Sequence, residues 1–292
     1  PRLCPYQKMR VIDATSDGQV RFEDPELGVI VEADWVKRRL LDGLHRLPIE
    51  RITSPVIRAT PEGAVVVSED QVAQFDLVVL AEGRAGQTAR ASGFTQIDGG
   101  YRQTALVATL AAKAPHGNEA FQVFTPEGPL ALLPLPDHGQ VHRVSLVWSV
   151  SVDTAQRLQA ETIDALTQRL IHASEGVRGQ LEFVSEPIWI PLSQHTLRHD
   201  ALGRCIAIGD TAHGILPLAG LGANLGFGDV AALIEAMQRS APNGAKIART
   251  VERLRRFDQH AVAWSMGLFS DVFRSTDPMV RLGRSLALRT AD

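Results

Sequence analysis

The sequence predicts a mixed α/β fold in which an α/β domain is interleaved with an antiparallel sheet. Three observations carry this. A continuous apolar run, Phe75–Leu80, reads as a parallel strand buried on both faces. Between residues 101 and 149, apolar and polar residues alternate with the period of half-buried antiparallel strands. Finally, Cys205–Asp229 reads as a strand, a carboxylate, a glycine-rich bend and a helix start in succession.

Taken in order, residues 9–33 alternate as strands. They comprise Met9–Ala14, a turn at Asp17-Gly18, Gln19–Glu23 and then Val29–Val31. Asp34 is placed as the N-cap of a helix over Trp35–Leu47, where Val36, Leu40, Leu44 and Leu47 recur at helical spacing. A short strand at Ile52-Thr53 leads to a hairpin of Val56–Arg58 with Ala64–Val67, turning at Pro61-Glu62-Gly63. The Phe75–Leu80 strand ends in Ala81-Glu82-Gly83-Arg84. The alternating segments are Ala105–Leu110, Phe121–Phe124, Leu130–Leu135 and Val144–Val150. Asp153–Ala173 reads as one helix, Glu186–Ile190 as a strand and Cys205–Ile208 as another. Asn224 opens a helix over Leu225–Met237, and Lys246–Phe273 is a long amphipathic helix broken at Asp277-Pro278. The expected partition is a sheet domain of residues 1–34 and 96–195 and an α/β domain of residues 35–95 and 196–292.

At 292 residues the chain can bury a large core in two domains. A net charge of −3 argues against a nucleic-acid partner. Its two cysteines, Cys4 and Cys205, have neither CxxC nor metal spacing, which fits a reducing cytoplasm. No apolar run approaches the ~20 residues of a membrane span, and no signal peptide opens the chain. Residue 1 is Pro, so the chain reads as a processed or truncated piece.

The chemistry concentrates in Gly209–Asp229. An ionised Asp210 at a strand tip can only accept hydrogen bonds, which suits a ribityl or sugar hydroxyl. Glycines in the following bend let backbone N–H groups approach a flat or anionic ligand, and the helix start gives them partial positive charge. Gly220-x-Gly222-x-x-x-Gly226 is not a dinucleotide fingerprint, because that needs its glycines directly after the strand, and the strand ends near Ile208. His213 reads as a structural histidine.

Gly209-Asp210-Thr211-Ala212-His213, Pro217 to Gly226 and Asp229 resemble the second FAD motif of the flavin-dependent aromatic hydroxylases. The resemblance is strongest to the ubiquinone-biosynthesis hydroxylases that act on polyprenylated phenols. It extends to Met9–Ala14, Val31-Glu32, Phe75–Gly83, Phe121–Phe124, Leu132–Leu135 and Leu146–Ser149. The chain departs from the family pattern at Leu221, usually Gln, at Glu82, usually Asp, and at Ala33, often Asn.

The resemblance implies a flavin-binding α/β domain interrupted by an antiparallel substrate-binding sheet. Its N-terminal βαβ unit, with the glycine fingerprint for the FAD pyrophosphate, is expected to be missing from this chain. By position it assigns Asp210 to the ribityl chain and a backbone group of Pro217 to the isoalloxazine. Gly220 and Gly222 form the bend, and the N–H groups of Ala223 and Asn224 face the pyrimidine end of the flavin. Glu82 and Arg38 complete the cofactor-binding set, and Arg84 is a candidate phosphate contact. Trp148 and Phe124 are candidates to line an aromatic pocket, though core packing is the commoner fate of such residues.

The activity implied is delivery of an oxygen atom to a phenol ring, after NADPH or another donor reduces FAD. The expected substrate is a small aromatic compound, with or without a prenyl tail. The chain as given is expected to lack bound FAD and to be inactive alone, and the reading allows a homodimer. No metal site is expected. The implied location is cytoplasmic, or peripheral to the inner membrane, with Val262–Phe273 and its flanking arginines contacting a membrane surface or another biosynthetic protein. The alternatives are a non-enzymatic, flavin-free scaffold and a same-fold halogenase or reductase.

Overall fold

The computed structural model describes residues 2–16, 18–50, 56–68, 71–84, 86–215, 220, 222–240 and 242–274; side chains are not described at 67, 68, 71, 101 and 263–274. In chain order the elements begin with β1 (Leu3–Asp13), β2 (Gln19–Val31), α1 (Ala33–Leu44), β3 (Arg58–Ala59), β4 (Ala64–Ser68), β5 (Gln71–Gln74) and β6 (Val78–Leu80). Next come α2 (Gln87–Ala91), β7 (Gln96–Ala112), β8 (Glu119–Thr125), β9 (Gly128–His138), β10 (Val141–Ser151), α3 (Val152–Gln159) and α4 (Ile163–Ala173). The remainder is β11 (Leu181–Phe183), β12 (Ile188–Leu197), β13 (Ala201–Leu202), β14 (Cys205–Ala207), a 3-10 turn at Gly209–Thr211, β15 (His213–Gly214), α5 (Gly222–Ser240) and α6 (Gly244–Arg274).

The chain divides into two compact units, residues 1–50, 102–192 and 270–292 in the first and residues 51–101 and 193–269 in the second. The first is built on a sheet in which β7, β10, β9, β8, β1 and β2 are successive neighbours, with β11 added on β7. The pairs are antiparallel except β1 with β8, which is parallel. Strand alternation gives this sheet two chemically different faces. On one, Leu106, Leu110, Phe121, Leu130, Leu132, Leu146 and Trp148 are buried in a core completed by Leu158 of α3 and Leu166 and Leu170 of α4. The other face carries Gln122, Ala131, Val147 and Val107 in one row, because these residues are register partners across β8, β9, β10 and β7.

The second unit contains a three-stranded sheet, β13-β14-β6, in which β14 and β6 are parallel. Ile206 and Ile208 of this region pack with Ala232 and Ala236 of α5 and Ile247, Ala248 and Val251 of α6. A smaller sheet, β3-β4-β5, holds the hairpin expected around Pro61–Gly63.

Four local expectations are corrected. Asp34 is not the cap of α1. Glu32 occupies that position without a side-chain cap bond, and Asp34 sits in the first turn, where its charge favours the helix N-terminus. The helix over 153–173 is two helices, since the Thr162 hydroxyl accepts from Ala165 N–H and starts α4 after α3 has ended at Gln159. Residues 19–31 form one strand rather than two. Only Val78–Leu80 of the apolar run is strand, with Phe75 43% and Val79 38% exposed. Among the described residues β6 is an edge of its sheet, so its apolar residues are not covered on every side.

Candidate functional site

The two parallel strands of the second unit end together. Leu80 of β6 is the register partner of Ala207 of β14, so Glu82-Gly83-Arg84 and Gly209-Asp210 leave the carboxyl end of the sheet side by side. In open α/β sheets that end is where ligands bind. The Thr211 hydroxyl ties the two turns by donating to Gly83 O at 3.2 Å.

Gly209 has φ +59°, a left-handed conformation that favours glycine. This sharp bend leaves the Asp210 carboxylate 42% exposed. Its Oδ2 accepts from Arg84 Nε at 3.2 Å. Arg84 is already occupied as a strut, since its other nitrogens donate to Ser193 O at 3.3 Å and Ile215 O at 3.0 Å. The expectation that Arg84 meets a phosphate is replaced by this role: three acceptors of the protein surround the guanidinium. His195 Nε2 lies 3.1 Å from Asp210 O, which can only accept, so the ring N–H donates to it; burial pushes this imidazole below its ordinary pKa.

Beneath the bend lies a buried hub that sequence reading missed. Asp229, fully buried in α5, accepts from Gly209 N–H at 2.9 Å and His213 Nε2 at 2.6 Å through Oδ2. Its Oδ1 accepts from Arg255 Nε at 2.9 Å and Gln259 Nε2 at 3.2 Å, both on α6. Burial pushes the carboxyl up, but the bonds from His213, Gly209 and Arg255 outweigh it and hold the group below the ordinary carboxylate range. The signal was present: Asp229 is a lone carboxylate among Leu225, Phe227, Val230, Leu233 and Ile234, and a charge on an apolar helix must be paired. His213 is structural, as expected, 1% exposed and committed to Asp229.

The start of α5 supplies donors. The N–H groups of a helix's first three residues, here Gly222, Ala223 and Asn224, have no partner within the helix. Gly220 has φ +64°, a left-handed conformation that favours glycine, and a Cβ built on it would meet nothing within 4 Å among the described residues. An acceptor carboxylate and a row of backbone N–H groups are what the ribityl chain and pyrimidine edge of a flavin require. These residues fit that half of FAD.

The comparisons with known proteins agree with this chemistry. Residues 60–248 match the family model described as an FAD binding domain. The chain belongs to this FAD-binding family. The chain is 28% identical to the mitochondrial ubiquinone biosynthesis monooxygenase COQ6 of Xenopus tropicalis, a match covering 100% of this chain and 74% of that protein. It is 29% identical to the ubiquinone hydroxylase UbiL of Rhodospirillum rubrum, over 97% of this chain and 68% of the relative. It is 27% identical to the 3-demethoxyubiquinol 3-hydroxylase of Escherichia coli, over 92% and 70%. Among solved structures, PqsL of Pseudomonas aeruginosa in complex with 2-aminobenzoylacetate superposes with a TM-score of 0.72 at 17% identity, covering 99% of this chain and 82% of PqsL. That likeness is one of fold.

Within this FAD-binding domain, Asp210, Gly220, Gly222, Ala223 and Asn224 all belong to the second unit, as does Glu82. Glu82 spends both carboxylate oxygens on α2, accepting from Thr88 N–H at 3.0 Å and Ala89 N–H at 2.7 Å. Arg38 belongs to the first unit, exposed on α1, with Nε donating to Asp34 O at 3.3 Å. Pro217 lies outside the described residues. Trp148 is fully buried on the helix-covered face of the first unit's sheet, so it packs the core there; Phe124 is on the opposite face. Among the described residues no group of His, Cys, Asp and Glu could hold a metal ion. None of the described helices is long and apolar enough to cross a membrane. The apolar stretch Trp264–Phe273 is helical within α6, whereas Arg281 lies outside the described residues.

Proposed function

We propose that the complete protein is an FAD-dependent monooxygenase that hydroxylates the aromatic ring of a phenolic precursor of the ubiquinone type. The observation that carries this is the Gly209-Asp210 bend at the tip of β14, followed by the N-terminus of α5, inside a chain of the FAD-binding family. The ubiquinone hydroxylases it resembles add the substrate class.

One oxygen atom of O2 enters the ring and the other leaves as water, chemistry that reduced flavin supplies when bound. The residues of this chain orient that cofactor. The Asp210 carboxylate accepts from a ribityl hydroxyl, a charge-assisted bond stronger than a neutral one. The N–H groups of Ala223 and Asn224, at the positive end of α5, would face the pyrimidine edge, where a reduced flavin carries negative charge. Fixed dipoles stabilise such charge without reorganising during the reaction. Arg84 and Asp229 set the acceptor from two sides, one through the carboxylate and the other through Gly209 N–H.

The sheet of the first unit is assigned to the aromatic substrate. Electrons come from NADPH or another two-electron donor. The test is to purify the complete protein and record its flavin spectrum. The purified protein is then incubated with a prenylated phenol, O2 and NADPH, and the product mass is followed for the gain of one oxygen. A colourless protein that neither binds added FAD nor alters the phenol would favour the scaffold reading.

A further inference from the structure

We infer that His195 is a positioning residue for the flavin: by fixing the main chain of Asp210 it aims the carboxylate that receives the ribityl chain. This rests on the assignment of the bend to FAD. Three contacts hold the bend at Asp210, and each grips a different group. Asp229 accepts from the N–H of the preceding residue, Gly209, at 2.9 Å. Arg84 Nε donates to one carboxylate oxygen, Oδ2, at 3.2 Å. His195 Nε2 donates to the carbonyl at 3.1 Å. Among the described residues the second carboxylate oxygen, Oδ1, accepts from no group, which leaves it for a ligand. The direction in which Oδ1 points follows from the orientation of the Asp210 backbone, and His195 sets that orientation.

The place of the ring is built into strand pairing. His195 of β12 is the register partner of Gly214 of β15. A Cβ on Gly214 would stand 2.5 Å from Cε1 and Nδ1 of the imidazole, so the ring fills the space that a side chain at 214 would need. The residue is 3% exposed, and a ring packed into a dense interior keeps one orientation. Arg84 is anchored to the same two strands, through Ser193 O of β12 at 3.3 Å and Ile215 O, just past β15, at 3.0 Å. Main chain and side chain of Asp210 are thus fastened to one piece of structure, and turning the residue breaks both contacts. An acceptor oriented before its ligand arrives has less freedom to lose on binding, and affinity rises accordingly. His195 need touch no ligand, because its effect passes through Asp210.

A double-mutant cycle on the FAD affinity of the complete protein tests this. The apoprotein is titrated with FAD, and quenching of flavin fluorescence is followed in the parent, His195→Asn, Asp210→Ala and the double variant. A Gln amide nitrogen extends about as far from the backbone as Nε2, whereas Asn is one carbon shorter and does not reach Asp210 O. His195→Asn is therefore expected to weaken FAD about tenfold, and His195→Gln to stay within about threefold of the parent. In the Asp210→Ala background His195→Asn should change the affinity by less than about threefold, since the acceptor that it aims is gone. A loss of equal size in both backgrounds would show that His195 only supports the fold, and it overturns the inference, as does a folded His195→Asn protein that binds FAD like the parent. Where His195→Asn does not fold, Gly214→Ala takes its place in the cycle, because the added methyl drives the ring off Asp210 O, and the same pattern is expected. If the parent itself binds no FAD, the functional assignment falls and this inference with it; equal losses in the two backgrounds sink this inference alone.

Discussion

Asp210 and Asp229 serve the same bend in opposite ways. Asp210 is half exposed, holds one arginine at 3.2 Å and keeps acceptor capacity for a ligand. Asp229 is fully buried, and its two oxygens are saturated by four donors from the bend, β15 and α6. A carboxylate that recognises a flexible ligand has to leave lone pairs open, whereas one that fixes a backbone turn has to leave none. The contrast divides the work. Asp229 makes the bend rigid, and Asp210 spends that rigidity on the ligand.

The largest expected effect falls on the buried partner. Asp229→Ala leaves Arg255, 13% exposed, with the half-exposed Asp258 as its remaining carboxylate and strips Gly209 N–H, His213 and Gln259 of their acceptor. Removing one member of a buried pair costs about 3–5 kcal/mol, which urea unfolding would read. Flavin affinity should fall as well, because the bend loses its support. The fold brings this carboxylate under Gly209, so it bears on the ligand through the bend. A loss below about 1 kcal/mol would mean that the hub carries little of the fold.

A third aspartate sharpens the point. Asp200 is buried as Asp229 is, but without the same set of donors, and burial, with Glu252 and Asp229 adding to it, pushes its pKa up to about 7 despite His213 and Arg256. A carboxyl whose folded pKa exceeds its unfolded value takes up a proton on folding. Its stabilisation is therefore complete below about pH 4 and is lost as pH rises through about 7. At about 1.36 kcal/mol per unit, the whole swing is on the order of 4 kcal/mol. Asp200→Asn should remove this slope, leaving the variant more stable than the parent at pH 8 and close to it at pH 4. Parallel stability profiles for the two proteins across that window would show that Asp200 stays ionised.

Asp210→Ala comes next. Its pair with Arg84 is a third or more exposed on both sides, so stability should change by about 1 kcal/mol or less. The loss appears instead in the complete protein's affinity for FAD, where one charge-assisted bond is worth about 1.5–3 kcal/mol, ten- to a hundredfold. Equilibrium dialysis against FAD beside a urea melt separates the two quantities. A variant that unfolds earlier but binds FAD normally would exchange the roles given to the two aspartates.

How much of this was legible in sequence follows from how local each signal is. The strand, bend and helix of Cys205–Ser240 could be read because apolar run, glycine and helix period sit within one stretch of chain. The four alternating segments of residues 101–149 became β7 to β10 for the same reason. Ser151 and Thr162 were overlooked as caps, although each lies immediately before a helical period. The Asp229 hub needed information that no window holds: Arg255 and Gln259 are 26 and 30 residues away, on a different helix. The strut made by Arg84 spans 126 residues to Asp210. Partners at that distance are fixed only by the packing of α5 and α6 on β14 and by the pairing of β6 with β14.

Glu82 gives the smallest expected effect and the cleanest test of where the ligand-facing set ends. It stands at the tip of β6 as Asp210 stands at the tip of β14, and the sequence treats the two alike. The structure gives Glu82 a local duty, with one oxygen on each of two N–H groups at the start of α2, which lacks a side-chain bond from its own N-cap, Gly86. Losing a carboxylate that satisfies helix-start donors costs about 1 kcal/mol. Glu82→Ala should therefore lower stability by about that amount and leave FAD affinity within about threefold, since 1.4 kcal/mol is needed for a factor of ten. Glu82→Gln keeps one acceptor oxygen and should recover part of the stability. If Glu82→Ala instead weakens FAD as much as Asp210→Ala does while its unfolding is unchanged, then Glu82 gives up α2 when the ligand binds, and both strand tips, not one, present carboxylates to the flavin.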